Sequence, residues 1–257
     1  MKIEVDPNIF LTYKAKDIQT LMSSNPVCIE INEKSTSALT RLKDSNFDQA
    51  PVTSNGALIG WVLKRQISDN TVISEVFSKL SHADLISADA PLNDLLQRLV
   101  NQELIFIVGT HGIEGFAVRS DIQRHVSRAH LFLLISGLEI MMTRIVAEEN
   151  NNSIILDNFM SPDSLKAWES AKRRNLDANP IEYLDLRALS NVMALNQKVM
   201  NHIAISKDDW KVFIGVLKIL RDGVAHSNTE KLMEIPFPLL VSHMNRMETI
   251  IRKLVRY

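Results

Sequence analysis

Cysteine is almost missing from this 257-residue chain: Cys28 stands alone, so no disulfide can form within it. No His/Cys cluster has the spacing of a zinc site either. An excess of charge of one sign is missing too. Residues 1–128 hold 13 basic and 15 acidic side chains, residues 129–257 hold 16 and 15, and the net charge is −1. Bulk charge therefore does not mark a nucleic-acid-binding surface, although Lys172–Arg173–Arg174 is a small basic patch. The opening MKIEVDPNIF lacks the basic-then-apolar layout of a secretory signal. The most apolar stretch, 131–147, is interrupted by Glu139 and Arg144 and reads as a core helix, not a membrane span. A reducing, cytoplasmic setting without a membrane partner is expected. What remains is a composition 46% apolar and 23% charged, ordinary for a globular protein and long enough for two domains with cores.

The first half repeats itself. IQTLMS at 18–23 matches ISEVFS at 73–78 with an offset of 55. After a small length difference Ile29 falls on Ile86, Leu39 on Leu96, and Arg41–Leu42 on Arg98–Leu99. Gly60–Trp61–Val62 then falls on Gly115–Phe116–Ala117, again at 55. Self-similarity on this scale marks a duplicated supersecondary unit. In each copy a short strand (27–31; 84–87) leads into a helix (35–44; 91–101) with apolar residues at helical spacing. Two β-rich runs follow (50–52 and 58–63; 105–108 and 115–118), joined through Asn55–Gly56 or His111–Gly112 as in hairpins. A last helix is expected from Gln66 and from Asp121. The order β-α-β-β-α, twice, makes an α/β domain built as a pseudo-symmetric pair.

Beyond residue 122 strand signals vanish and helical periodicity takes over, at roughly 122–149, 162–174, 179–200, 207–225 and 237–256. The expected organisation is an α/β domain over 1–126, with copies at about 15–70 and 71–126, and an all-α bundle over 127–257. The helix starting at Asp121 is expected to run from one domain into the other.

The motifs LMSSNPVCIEINE, FDQAPVTSNGALIGWV and GIEGFAVRSDIQRH, in this order over roughly residues 15–126, resemble a tandem pair of cystathionine-β-synthase (CBS) domains. The resemblance implies a non-catalytic module that binds AMP, ADP, ATP or S-adenosylmethionine between its copies and regulates an attached domain. In that family an acidic residue at the start of the last helix contacts ribose. The matching residue is Asp121, after Ser120, whereas the first copy has Gln66, so one intact and one degraded site are implied. A carboxylate can accept both ribose hydroxyls while a helix N-terminus favours phosphate. By the same analogy Pro26, Val27, Phe47, Phe116 and Val118 wall the site. The alternative for Asp121 is a helix N-cap and nothing more.

In the second half, Ile-Leu-Arg-Asp-Gly-Val-Ala-His at 219–226 resembles the arginine–polar–x–x–x–histidine signature of HEPN domains, helical and often dimeric bundles of which many are metal-independent ribonucleases. Glu139 stands where such domains often carry an acidic residue. The resemblance implies RNA as substrate, His226 moving a proton at the ribose 2′-hydroxyl or the leaving oxygen, and Arg221 stabilising charge on phosphate. Asp222 would orient the histidine or the RNA backbone. No metal and no catalytic cofactor are required. Positions five apart lie about 140° apart around a helix. Arg221 and His226 therefore converge only if the helix unwinds near Gly223 or two motifs meet across a homodimer. The competing reading is structural, with Arg221 and His226 serving a helix end. His243 and Arg246, three apart, read as a solvated edge. Two functions remain open: a nucleotide-sensing CBS pair that gates a HEPN-like ribonuclease, and a non-enzymatic sensor or scaffold whose helical domain dimerises or binds a partner.

Overall fold

The computed structural model describes residues 13–69, 72–149, 158–174, 176, 178–225 and 234–257. They fall into two compact units, one over Tyr13–Ser127 and one beginning at Arg128.

The first unit holds two four-stranded sheets in the orders β2-β3-β4-β5 and β1-β8-β7-β6. Their strands are β1 Thr20–Leu21, β2 Ile29–Glu30, β3 Gln49–Ser54, β4 Ala57–Leu63, β5 Ser78–Lys79, β6 Leu85–Ser87, β7 Leu104–Gly109 and β8 Gly112–Val118. Helix α1, Ser35–Asp44, connects β2 to its parallel neighbour β3. A short helix α2, Ile73–Val76, precedes β5, and α3, Leu92–Asn101, joins β6 to β7. Parallel neighbours need such crossovers. Each crossover helix buries one stripe, Ala38 and Leu42 on α1 and Leu92, Leu95, Leu96 and Leu99 on α3. The hairpins turn at Asn55–Gly56, with φ of 50° and 77°, and at Gly112, with φ of 101°. These left-handed values are why Asn and Gly stand there.

The sheets exchange their edge strands. β1 lies at the start of the first copy but pairs with β8 of the second, and β5 lies at the start of the second copy but pairs with β4 of the first. Thr20 faces Phe116 and Leu21 faces Gly115; Ser78 faces Trp61 and Lys79 faces Gly60. Thr20 and Ser78 are therefore equivalent, an offset of 58. The isolated bridges Lys14–Pro91 and Val72–Lys34 repeat that offset. The match of 18–23 with 73–78 at offset 55 is thus corrected by three residues. Sequence similarity there followed shared apolar spacing, whereas hydrogen-bond register sets the true equivalence.

The closing helices also differ from expectation. Lys64–Gln66 and Arg119–Gln123 are short 3-10 segments of three and five residues. The backbone is extended again at Ile67 and Arg124, and the α-helix α4 begins only at His125. Asp121 therefore does not open the long helix.

Two glycines explain how the exchange fits. A Cβ on Gly60 would overlap the Ser78 carbonyl oxygen, and one on Gly115 would lie 2.7 Å from the Thr20 oxygen and 2.5 Å from Gln19 Oε1. Gly60 and Gly115 are equivalent, and so are the two carbonyls pressed on them. Behind them Leu104, Phe106 and Phe116 pack with Leu58, Trp61, Leu80, Met22 and Ile113, a cluster drawn from both sheets.

The second unit is helical among the described residues. Its helices are α4 His125–Glu149, which starts in the last three residues of the first unit, α5 Pro162–Arg173, α6 Leu186–Leu195, α7 Gln197–Ile203, α8 Lys207–Ala225 and α9 Phe237–Val255. The expected helix 179–200 is three pieces. Asn179 caps a 3-10 turn at Pro180–Tyr183, and the Ala188 N–H donates to Asp185 Oδ1 (2.7 Å) at the start of α6. The Lys198 and Val199 N–H groups donate to Asn196 Oδ1 (3.0 and 3.2 Å) at the start of α7. Each Asp or Asn offers the chain a new N-terminus, and apolar spacing alone runs through them. Helix α4 is long and apolar enough to cross a membrane by length and composition. Its Leu131, Leu134, Leu138, Met141, Met142, Ile145 and Val146 are all at most 3% exposed.

His243 is not on a solvated edge. It is buried and stacked on Phe213 with the rings 11° apart, its Nδ1 2.9 Å from the Leu239 oxygen. Arg246 lies over the same Phe213 ring. His130 is buried as well, and burial pushes its pKa from 6.5 to about 4, against an opposing pull from Glu248.

Two predictions follow from this packing. Gly60→Ala is expected to destabilise the protein by about 2 kcal/mol, as overpacking against backbone does. Gly115→Ala is expected to cost less, because its backbone contact, the Thr20 oxygen at 2.7 Å, is the looser of the two and the Gln19 amide can swing aside; urea denaturation of both variants reads the difference. His130 is neutral when folded and protonates near 6.5 when unfolded, so the unfolded state binds the extra proton between those values. Stability therefore falls as pH drops from about 6.5 to 4, by about 3 kcal/mol. His130→Gln should flatten that acid limb in a pH series of unfolding midpoints.

Candidate functional site

The candidate site of the first unit is the turn after β8. Its architecture is copied from the turn after β4. The Leu63 N–H donates to Gln66 Oε1 (3.2 Å) and the Val118 N–H donates to Asp121 Oδ2 (2.8 Å). Gln66 and Asp121 are thus equivalent, and each side chain closes its own turn. The flanking ion pairs are copied too: Lys64 with Asp48 at 2.6 Å, Arg119 with Glu103 at 3.6 Å.

The copies part at the next positions. Asp121 is 5% exposed, and Arg124 Nε lies 2.6 Å from its Oδ1. Burial pushes the Asp121 carboxyl above the ordinary aspartate range, while the Val118 N–H and the Arg124 guanidinium pull it back down. Both carboxylate oxygens are therefore engaged. The Arg124 guanidinium also donates to the Gln19 backbone carbonyl (3.1 Å) and to Thr20 Oγ1 (2.6 Å), and Ser127 Oγ donates to the Asp121 backbone carbonyl (3.0 Å). In the first copy the position of Arg124 is Asp69, whose oxygen accepts from Ser35 Oγ (3.1 Å).

The walls inferred from the resemblance are placed as follows. Phe116 is buried edge-on to Phe106 at 6.4 Å, and Val118 packs against the same cluster. Val27 packs against the first copy's core, with Ile29, Ala38, Leu42 and Val52. Pro26 is half-buried, while Phe47 is 46% exposed just beyond α1 and Ser120 is exposed. Arg124 was missed in the sequence. Its signal was there as an Asp–x–x–Arg spacing across one turn.

In the helical unit, Arg221 and Asp222 lie on α8, which continues as regular helix past Gly223 to Ala225. Unwinding at Gly223 is therefore not the means of convergence. His226 lies outside the described residues. Arg221 Nε is 3.1 Å from Glu139 Oε1, an ion pair that ties α8 to α4. Burial raises the Glu139 pKa and Arg221 opposes that rise. Arg221 itself stays 48% exposed on its side chain. His202 sits in the last turn of α7, its Nε2 2.9 Å from the Lys253 oxygen, while Lys253 Nζ donates to the Ile203 oxygen (2.7 Å). Among the described residues no group of His, Cys, Asp and Glu could hold a metal ion.

The equivalence of the two turns yields a prediction. Asp121→Ala should cost about 1–2 kcal/mol, the usual loss for a capping carboxylate. Gln66→Ala should cost less, since its neutral amide makes one longer bond. Chemical denaturation of both variants measures the difference.

The comparisons with known proteins fall on this first unit. Residues 15–73 match the family model described as CBS domain. No curated protein matches the chain. Among solved structures, a hemolysin-like CBS-domain protein of Oenococcus oeni is similar over 44% of this chain and 90% of its own, at 15% identity and a TM-score of 0.39. A conserved CBS-domain protein of unknown function from Thermoplasma acidophilum shares 19% identity over 46% of this chain and 71% of its own, with a TM-score of 0.38. The CBS-pair protein CBSX2 of Arabidopsis thaliana shares 14% over 46% and 96%, with a TM-score of 0.39. The matched segment runs from the residues before the exchanged strand β1 through the Gln66 turn to the start of α2, so the chain is similar to a CBS domain over residues 15–73.

Proposed function

We propose that the first unit is a regulatory CBS pair that senses an adenine-containing ligand (AMP, ADP, ATP or S-adenosylmethionine) and that the helical unit is its output. The observation that carries the reading is the asymmetry of the two equivalent turns. One closes with a neutral amide, Gln66, and the other with a buried carboxylate, Asp121, whose charge is balanced by an arginine. A carboxylate at that point can accept the two hydroxyls of a ribose, and an amide oxygen accepts one bond where the other end of the group donates. The second copy is then the binding copy and the first a scaffold for it.

For the helical unit, the ion pair of Arg221 with Glu139 favours a non-enzymatic role, in which α8 and α4 are held together and the bundle dimerises or docks a partner. A second reading, a HEPN-like metal-independent ribonuclease using Arg221, Asp222 and His226 in a homodimer, is favoured by the half-exposed guanidinium of Arg221 standing beside Asp222. In that reading Glu139 holds Arg221 in place until a phosphate draws it away.

Two measurements test these readings. A ligand at a hundred times its Kd stabilises the protein that binds it by about 2.7 kcal/mol. Thermal denaturation of the full chain with AMP, ADP, ATP and S-adenosylmethionine should show such a shift with at least one of them, and Asp121→Asn should lose most of it. No shift with any of the four contradicts the sensor. RNA cleavage in EDTA, compared with Arg221→Ala and His226→Ala, separates the outputs. Equal inactivity of all three proteins supports the non-enzymatic bundle, and cleavage lost in both variants supports the nuclease.

A further inference from the structure

The guanidinium of Arg124 uses all three of its nitrogens on two distant parts of the chain. Nε pairs with Asp121 Oδ1 (2.6 Å), Nη1 donates to the Gln19 backbone carbonyl (3.1 Å) and Nη2 to Thr20 Oγ1 (2.6 Å). Asp121 belongs to the turn after β8; Thr20 opens the exchanged strand β1 and Gln19 immediately precedes it. β1 is two residues long, pairs only with β8, and forms the open edge of its sheet. A strand that short is held weakly by its own ladder, so the arginine fork supplies much of its anchorage. Arg124 is also the residue at which the backbone straightens before α4 begins at His125.

We propose that Arg124 is an internal clip that competes with the ligand for Asp121. This rests on the reading of Asp121 as the ribose contact. A ribose diol approaching Asp121 Oδ1 meets the guanidinium already bonded there, and must displace it. Displacement then breaks the other two bonds in the same event, since one planar group makes all three. Ligand binding in the second copy is thereby coupled to loosening of β1 and of the turn that leads into α4. The first copy provides an internal control. Gln66 occupies the position of Asp121, and Asp69 stands where Arg124 would be, so the copy without the carboxylate also lacks the cation. The charge pair is a feature of one copy only, which fits a role in binding better than a role in folding the repeat. Lysine would not replace it, because a single ammonium cannot span three acceptors in a planar fork.

The test uses the full chain with Arg124→Ala, Arg124→Lys and Asp121→Asn, and AMP as the probe. Without nucleotide, amide hydrogen exchange at residues 20–21 should be faster in Arg124→Ala, by about tenfold, and intermediate in Arg124→Lys. Unchanged protection in Arg124→Ala overturns the clip whatever AMP does. By calorimetry, Arg124→Ala should bind AMP about fivefold or more tightly than the natural protein, because the fraction with a free carboxylate rises. Arg124→Lys should fall between them. If AMP binding is lost in Asp121→Asn but unchanged or weakened in Arg124→Ala, the ribose contact stands and the clip is overturned. If none of the proteins binds AMP, ADP, ATP or S-adenosylmethionine while Arg124→Ala still loosens β1, the ligand reading fails and the competition fails with it.

Discussion

The close approach of a strand backbone to Gly60 and to Gly115 governs the architecture of the α/β unit. Each sheet takes its edge strand from the start of the other copy, and that strand passes over a glycine where a Cβ would meet a carbonyl oxygen. Once those two crossings are in place, the rest follows. The copies are bound to each other by hydrogen bonds that neither could make alone. Their inner faces then meet in the cluster around Phe106, Phe116 and Trp61. Neither copy completes its sheet without the other, which is the structural sense in which the two form one unit.

On that frame, the two turns that follow β4 and β8 are built to the same plan but finished differently. A side-chain oxygen closes each turn, from Gln66 in one and Asp121 in the other. Burying a carboxylate requires a balancing charge, and Arg124 provides it. The same arginine reaches the exchanged strand. The electrostatics of one side chain are thus tied to the strand exchange itself, and the residue beyond the arginine starts the long helix α4. In the helical unit an acid–arginine pair recurs, Glu139 with Arg221, this time between two helices.

Much of the α/β unit was legible in the sequence, because its signals were local. The helix at 35–44, the Asn55–Gly56 turn and the pairing of Gly60 with Gly115 follow from spacing and turn chemistry. The equivalence of 18–23 with 73–78 was misplaced by three residues, since β1 and β5 are held by partners distant in sequence and no local pattern records that register. The helices expected from Gln66 and Asp121 are 3-10 turns: their side chains close back on the Leu63 and Val118 N–H groups, and the chain is extended again at Ile67 and Arg124. Asp185 and Asn196 divide 179–200 by capping chemistry that apolar periodicity does not register. His243 was misread because its stacking partner, Phe213, lies on another helix. Of the candidate site, Asp121 was identified and Arg124 was not, although both stand within one turn.

The central claim is that the second copy binds an adenine-containing ligand through Asp121 and the first does not. Its most direct test is an amide nitrogen–proton correlation spectrum of the full chain titrated in turn with AMP, ADP, ATP and S-adenosylmethionine. The account predicts shifts concentrated at residues 118–124 and at the start of β1, with the equivalent residues 63–69 unmoved. Equal shifts at both turns, or none at either, would contradict it.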